Sequence, residues 1–183
     1  NRRISSGSAG ATGLLRVGSA AVGRGGVVRI SLLGEYFTKQ DFPVLGPRNT
    51  RSAGTLALDW TFFDFLETYL SYSVSANSND AASPSLMQAQ GDVSLGLKGG
   101  YEVVRGLTLG GDLRFGFFPG VGGQDLSGYA FGFSPRLLAT YDVRTTSPKM
   151  PLLVHLIAGA AFDGTDGLLG DREPTFAEEF ALG

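Results

Sequence analysis

From Val27 to Asp163 the chain alternates large apolar side chains with small or polar ones at a period of two, in run after run. The stretch Arg51 to Asn77 shows it most clearly. Leu56, Leu58, Trp60 and Phe62 share one parity, and Thr55, Ala57, Asp59 and Thr61 share the other. Beyond Phe63, Asp64 and Phe65, the residues Leu66, Thr68, Leu70, Tyr72, Val74 and Ala76 alternate with Glu67, Tyr69, Ser71, Ser73, Ser75 and Asn77. Successive side chains of a strand point to opposite faces, so each run is a strand with one apolar and one polar face. The joining residues leave room only for a reverse turn.

Residues 1–10 are small and polar and form a lead-in. Strands are then predicted at Thr12–Ala21, Val27–Phe37, the two arms of the Arg51–Asn77 hairpin, Gln88–Val103, Leu107–Phe117, Gly128–Val143 and Leu152–Asp163. Pro135 inside the seventh of these predicts a bulge or a local edge. Short connections (Val22–Gly26, Phe63–Phe65, Val104–Gly106, Arg144–Pro151) alternate with long ones (Thr38–Asn49, Ser78–Met87, Phe118–Ser127 and the stretch from Gly164). The tail, 164–183, reads as a loop followed by the start of a further strand or a short helix. The pattern is that of one all-β domain, an up-and-down antiparallel meander with its short turns at one end.

Alternation by itself does not say which face looks inward, because a lipocalin-like barrel and a membrane barrel both alternate. Three features point to a membrane barrel. The runs are about 10 to 12 residues, the length that crosses a bilayer when tilted. About five large side chains per strand overfill the interior of a small barrel. The polar face is mostly Gly, Ala, Ser and Thr, with sparse charges of both signs that suit a crowded lumen: Arg29, Glu35, Asp59, Glu67, Asp92, Lys98, Asp112, Arg114, Arg136 and Asp142. Tyr36, Trp60, Tyr72, Tyr101, Tyr129 and Tyr141 lie on the apolar parity, mostly towards strand ends, where membrane barrels carry aromatic girdles.

Composition narrows the chemistry. Charged residues make up 17%, below the roughly 25% of soluble domains. The formal net charge of −2 argues against a nucleic-acid partner. With no cysteine, a disulfide framework and a thiolate metal site are excluded. His155, the single histidine, has the polar parity but apolar companions in Leu153 and Ile157, and reads as a polar residue of the interior and not as a catalytic base. Asp163, Asp166 and Asp171 lack the ligand alternation of a calcium loop. Gly120, Gly122 and Gly123 lack the strand-to-helix setting of a phosphate site. No catalytic, cofactor or metal site is predicted, and the chain reads as non-enzymatic.

The repeated stretches GTLALDWTFFDFLETYLSYSVSA and GDVSLGLKGGYEVVRGLTLGGDLRFGFF resemble the transmembrane β-barrel domains of Gram-negative outer-membrane proteins, over about Gly13 to Asp163. The resemblance implies an outer-membrane location, a signal peptide removed before Asn1, short periplasmic turns, longer extracellular loops, and lipid and envelope proteins as partners. A chain entering such a barrel should meet a long connection first, yet the first here is short, so either a preceding strand is missing or Thr12–Ala21 begins inside the lumen. The chain also lacks a closing strand that ends on an aromatic residue. Both departures point to at least eight strands within a larger barrel. The function expected on this reading is a structural or anchoring barrel. The alternatives are a porin-like channel for small solutes and, from another class, a soluble lipocalin-like carrier of an apolar ligand.

Overall fold

A computed structural model describes residues 7, 10–13, 17–40, 47–80, 86–119, 129–164 and 175–182. Eight strands form one antiparallel sheet in chain order: β1 (Val27–Gln40), β2 (Arg48–Phe63), β3 (Leu66–Asn79), β4 (Leu86–Val104), β5 (Leu107–Pro119), β6 (Tyr129–Asp142), β7 (Leu153–Asp163) and β8 (Thr175–Leu182). A 3-10 turn, Val143–Thr145, follows β6. The strands outrun their expected limits. Thr38–Gln40, Arg48–Asn49, Ser78–Asn79, Leu86–Met87 and Phe118–Pro119, read as loop, are paired.

The short turns are tight. Asp64 and Phe65 alone join β2 to β3, and the Phe63 and Phe65 rings stack across that turn at 5.4 Å. Arg105 and Gly106 join β4 to β5, with Gly106 at φ +88°, a conformation that favours glycine. A bulge sits where the β3–β4 register shifts between Ser73 and Ser75, opposite Gly91 at φ +83°. No bulge marks Pro135. The β6–β7 register runs unchanged past it from Phe133↔Phe162 to Arg136↔Gly159, and pairing lapses at Ser134 and Pro135 because proline has no N–H to donate.

Each strand pairs only with its neighbours in sequence, and among the described residues nothing joins β8 to β1. The sheet is open. This corrects the expectation of a transmembrane barrel, since the eight described strands do not close into one. An open sheet would present rows of unpaired N–H and C=O groups to hydrocarbon, which spanning structures avoid by closing. The outer-membrane location, the lipid and envelope partners, the anchoring barrel and the porin-like channel fall with closure. The lipocalin-like carrier falls too, since it needs a closed wall around its ligand. Among the described residues no helix is long and apolar enough to cross a membrane. Period-two alternation reports the face a side chain occupies and is silent on whether the sheet's ends meet.

The segment before β1 is the second correction. Of the expected strand Thr12–Ala21, the described residues 12–13 and 17–21 belong to no strand of the sheet and form a strap laid across its polar face, joined by a Gly13↔Gly18 bridge and a Ser19 N–H bond to Thr12 O of 3.1 Å. Its small residues allow the close approach. Ala20 is fully buried against Leu138 and Ile157, with Val17 alongside. Gly100 carries no side chain where its Cβ would stand 1.9 Å from Ala20 O. The strand count is restored by the tail, where β8 takes the place that the strap was expected to fill.

Candidate functional site

The strand register sorts the polar-face charges into rows. Glu67, Lys98, Asp112 and Arg136 face one another across β3, β4, β5 and β6 and alternate in sign. Opposite charges on directly paired positions stabilise a sheet, whereas like charges there destabilise it. A second row runs Asp59, Tyr69, Gly96 and Arg114 across β2 to β5. Arg29 on β1 pairs with Asp59 and closes the group at that edge.

Glu67 is the hub. Its Oε1 accepts from Lys98 Nζ at 2.8 Å and from Thr12 N–H at 2.8 Å; its Oε2 accepts from Thr12 Oγ1 at 2.5 Å, Gly23 N–H at 3.2 Å and Arg29 Nη2 at 3.3 Å. Lys98 is buried and uses all three of its donors, the other two reaching Thr12 O and Ala21 O at 2.9 Å each. The network therefore binds the strap and the sheet through the same atoms. Burial acts to raise the Glu67 pKa, but the Lys98 charge and the hydrogen bonds from Lys98 and Thr12 outweigh it and hold the carboxyl below its ordinary value. Burial pulls the Lys98 ammonium below its ordinary value against the attraction of Glu67.

Asp59 behaves oppositely. Its Oδ1 takes a 2.5 Å bond from Arg29 Nη2, while its Oδ2 accepts no hydrogen bond among the described residues. Burial, reinforced by the nearby Glu67 charge, pushes its pKa up to about 6 despite Arg29. Gly23 makes room for the guanidinium, since a Cβ there would stand 2.4 Å from Arg29 Nη1.

Tyr69, on the polar parity, is buried with its ring in the space a side chain on Gly96 would fill, and its hydroxyl donates to Asp112 Oδ1 at 2.8 Å. Arg136 pairs with the other oxygen of Asp112. Burial, with Asp112 next in order, drives the Tyr69 pKa well above its usual value, so the phenol stays protonated and donating. A third cluster ties the strap to β6 and β7. Thr140 Oγ1 lies 2.9 Å from His155 Nδ1, accepts from Ala20 N–H at 2.9 Å and sits 3.3 Å from Ser19 Oγ. Burial, then the Lys98 charge, lowers the His155 pKa and favours its neutral form.

Of the charges assigned to a lumen, the structure gathers Arg29, Asp59, Glu67 and Lys98 into one ion-paired set and Asp112 and Arg136 into a second, with Asp112 opposite Lys98 in the register. Arg114 is half-buried beside Tyr69. Asp92 is half-buried, and burial raises its pKa; Glu35 is exposed. Asp142 pairs locally with Arg144 at 2.8 Å in the β6–β7 turn. Because the described strands do not close, these groups share one face of an open sheet, covered by the strap around Glu67 and Lys98 and open at Glu35, and not a channel wall. Tyr36, Trp60, Tyr72 and Tyr101 stand exposed on the other face. Tyr141 is half-buried and bonds Thr146 at 3.2 Å, and the Tyr129 side chain lies outside the described residues.

Sequence reasoning missed Tyr69 and the strap's share in the network. Gly96, on the next strand in the same row as Tyr69, was the available signal for the first. The backbone acceptors of Thr12 and Ala21 leave no trace in side-chain pattern. Of the residues considered for a calcium loop or a phosphate site, Asp166, Asp171, Gly120, Gly122 and Gly123 lie outside the described residues, as do 41–46 and 81–85 of the long connections. Among the described residues no group of three His, Asp or Glu side chains is placed to hold a metal ion. The geometry is that of a clamp, in which acids and bases are engaged with one another and with the strap. No protein-family model matches the chain, and neither a curated protein nor a solved structure shows significant similarity to it.

Proposed function

We propose that this chain is a non-enzymatic structural module that works by association through the bare face of its sheet. One contrast carries the reading. The polar face is covered around its charged group by the chain's own strap, whereas the opposite face is left open with Leu32 at 82%, Ile30 at 74% and Leu137 at 72% exposure. Exposed apolar patches beyond a few hundred Å2 mark interaction surfaces. Over the middle of each strand from β1 to β7, that face holds no Asp, Glu, Lys or Arg. Such a surface is used by being covered.

The buried network supports this assignment of roles. Its titratable groups lie under the strap, so they hold the sheet's shape while the other face does the binding. Sedimentation of the purified chain, beside a variant carrying Ile30→Ser, Leu32→Ser and Leu137→Ser, tests the reading. The native chain should sediment as an associated species and the variant as a monomer. A native chain that remains a dispersed monomer, alone and with apolar surfaces offered to it, overturns it.

A further inference from the structure

Resting on that reading, we infer that the occupant of the bare face is a second copy of this chain, stacked face to face about a twofold axis. The first argument is area. The chain exposes 11778 Å2 at a mass of 19.2 kDa. A compact monomer of that mass exposes about 8,400 Å2. The whole chain thus leaves roughly 3,300 Å2 more surface open than a compact monomer of its mass, room enough for the half that each subunit gives to an obligate interface of about 2,000–5,000 Å2 in total.

The second argument is charge. A different protein partner is ordinarily selected by complementary charges, and the middle of this face carries none. An uncharged apolar surface is complementary to itself. Breadth agrees, because the seven strands β1 to β7 at about 4.8 Å spacing make a face roughly 34 Å wide. A surface that wide is matched by another sheet, and packed sheets stack about 10 Å apart.

The third argument is relief. Ile30 and Leu32 stand on β1, opposite Leu58 and Leu56 of β2, and form a protruding ridge along one side. Towards the other side a trough of about 970 Å3 runs over Gly99, Gly111 and Ala158 between Leu97, Leu113 and Leu137. A twofold axis lying along the strands near β3 and β4 sets the ridge of each copy into the trough of the other. Both halves of the contact are then satisfied at once, as an isologous interface requires.

The chain has no cysteine, so single cysteines report the contact cleanly. Full-length Ile30→Cys and Leu137→Cys chains would be oxidised separately and as a mixture, with the mass of the native chain measured by sedimentation equilibrium and its binding to neutral phosphatidylcholine vesicles by flotation. The expected result is a native species of twice the chain mass, with a disulfide dimer that is at least tenfold more abundant in the mixture than in either chain alone. A dimer that cross-links equally in all three samples overturns the stacked arrangement. Open-ended oligomers, or chains that float with the vesicles, overturn the second copy as occupant and leave association through this face standing. A monomer that does neither overturns both.

Discussion

Lys98 Nζ donates to Glu67 Oε1 at 2.8 Å, with the two side chains only 1% and 0% exposed. A pair so buried is costly to break, because without the ammonium the buried Glu67 carboxylate keeps only the longer 3.3 Å contact from Arg29 as a charged partner. Lys98→Met should therefore lose about 3–5 kcal/mol of stability. It should also free Thr12 O and Ala21 O, the two strap carbonyls that the ammonium holds. Adding Glu67→Gln to Lys98→Met should recover part of the loss, since no charge is then left unpaired. Denaturant midpoints check both, and a double variant less stable than Lys98→Met alone would refute the account.

The ring of Tyr69 lies where a side chain at position 96 would be. A Cβ on Gly96 would stand 2.0 Å from Tyr69 Cζ, so Gly96→Ala must push the ring off its seat and pull its hydroxyl from Asp112. Overpacking of this kind costs about 1–3 kcal/mol. Gly34→Ala is the control, because nothing stands within 4 Å of its Cβ position. Its effect should stay within about 0.5 kcal/mol. Equal midpoints for the two variants would sink the assignment.

Asp59 should make stability depend on pH in the sense opposite to an ordinary ion-paired carboxylate. Its folded value is raised from 3.8 to about 6, first by burial and then by Glu67, so the folded chain holds the proton more tightly than the unfolded one. The stability this contributes is complete below about pH 4 and is lost as pH rises through about 6. Glu67, held low, acts in reverse and loses its contribution as pH falls through its folded value. Asp59→Asn keeps an oxygen acceptor for Arg29 but cannot titrate, while Glu67, Lys98 and His155 remain in both chains. The native chain should therefore gain on the variant as pH falls from about 7 to about 4.5. Urea midpoints at the two pH values give the answer, and a constant gap between the chains would rule out a raised Asp59.

Much of the sheet was legible because one rule, period two, governs both the sequence and the pleat. Leu56, Leu58 and Trp60 stand on the exposed face and Ala57, Asp59 and Thr61 on the buried one, as their parity requires. Closure was not legible. It depends on whether β1 and β8 come within bonding distance, a matter of strand tilt and stagger that no residue type encodes. The strap misled for a related reason. Leu15, Arg16 and Val17 alternate like a weak strand, but Gly13, Gly18, Ser19, Ala20 and Ala21 offer too little side chain to hold a face of a sheet and enough backbone to lie flat upon one. Of the charged group, the residues could be named from parity, while their partners needed the register.

Gly100 separates the strap from the sheet experimentally. Its Cβ position lies 1.9 Å from the carbonyl oxygen of Ala20 and 3.3 Å from Val22 Cγ2, so Gly100→Ala collides with strap backbone that cannot turn aside as a side chain can. The strands themselves gain a residue with a better strand preference than glycine. The strap should lift while β3 to β6 stay paired, at a cost of about 1–3 kcal/mol. Hydrogen exchange reads this directly, because the Ala20 amide donates to Thr140 Oγ1 at 2.9 Å and is protected only while the strap is seated. In Gly100→Ala that amide should exchange at least tenfold faster, with the Tyr69 and Leu97 amides unchanged. Unaltered protection at Ala20 would mean that the strap is not held against β4.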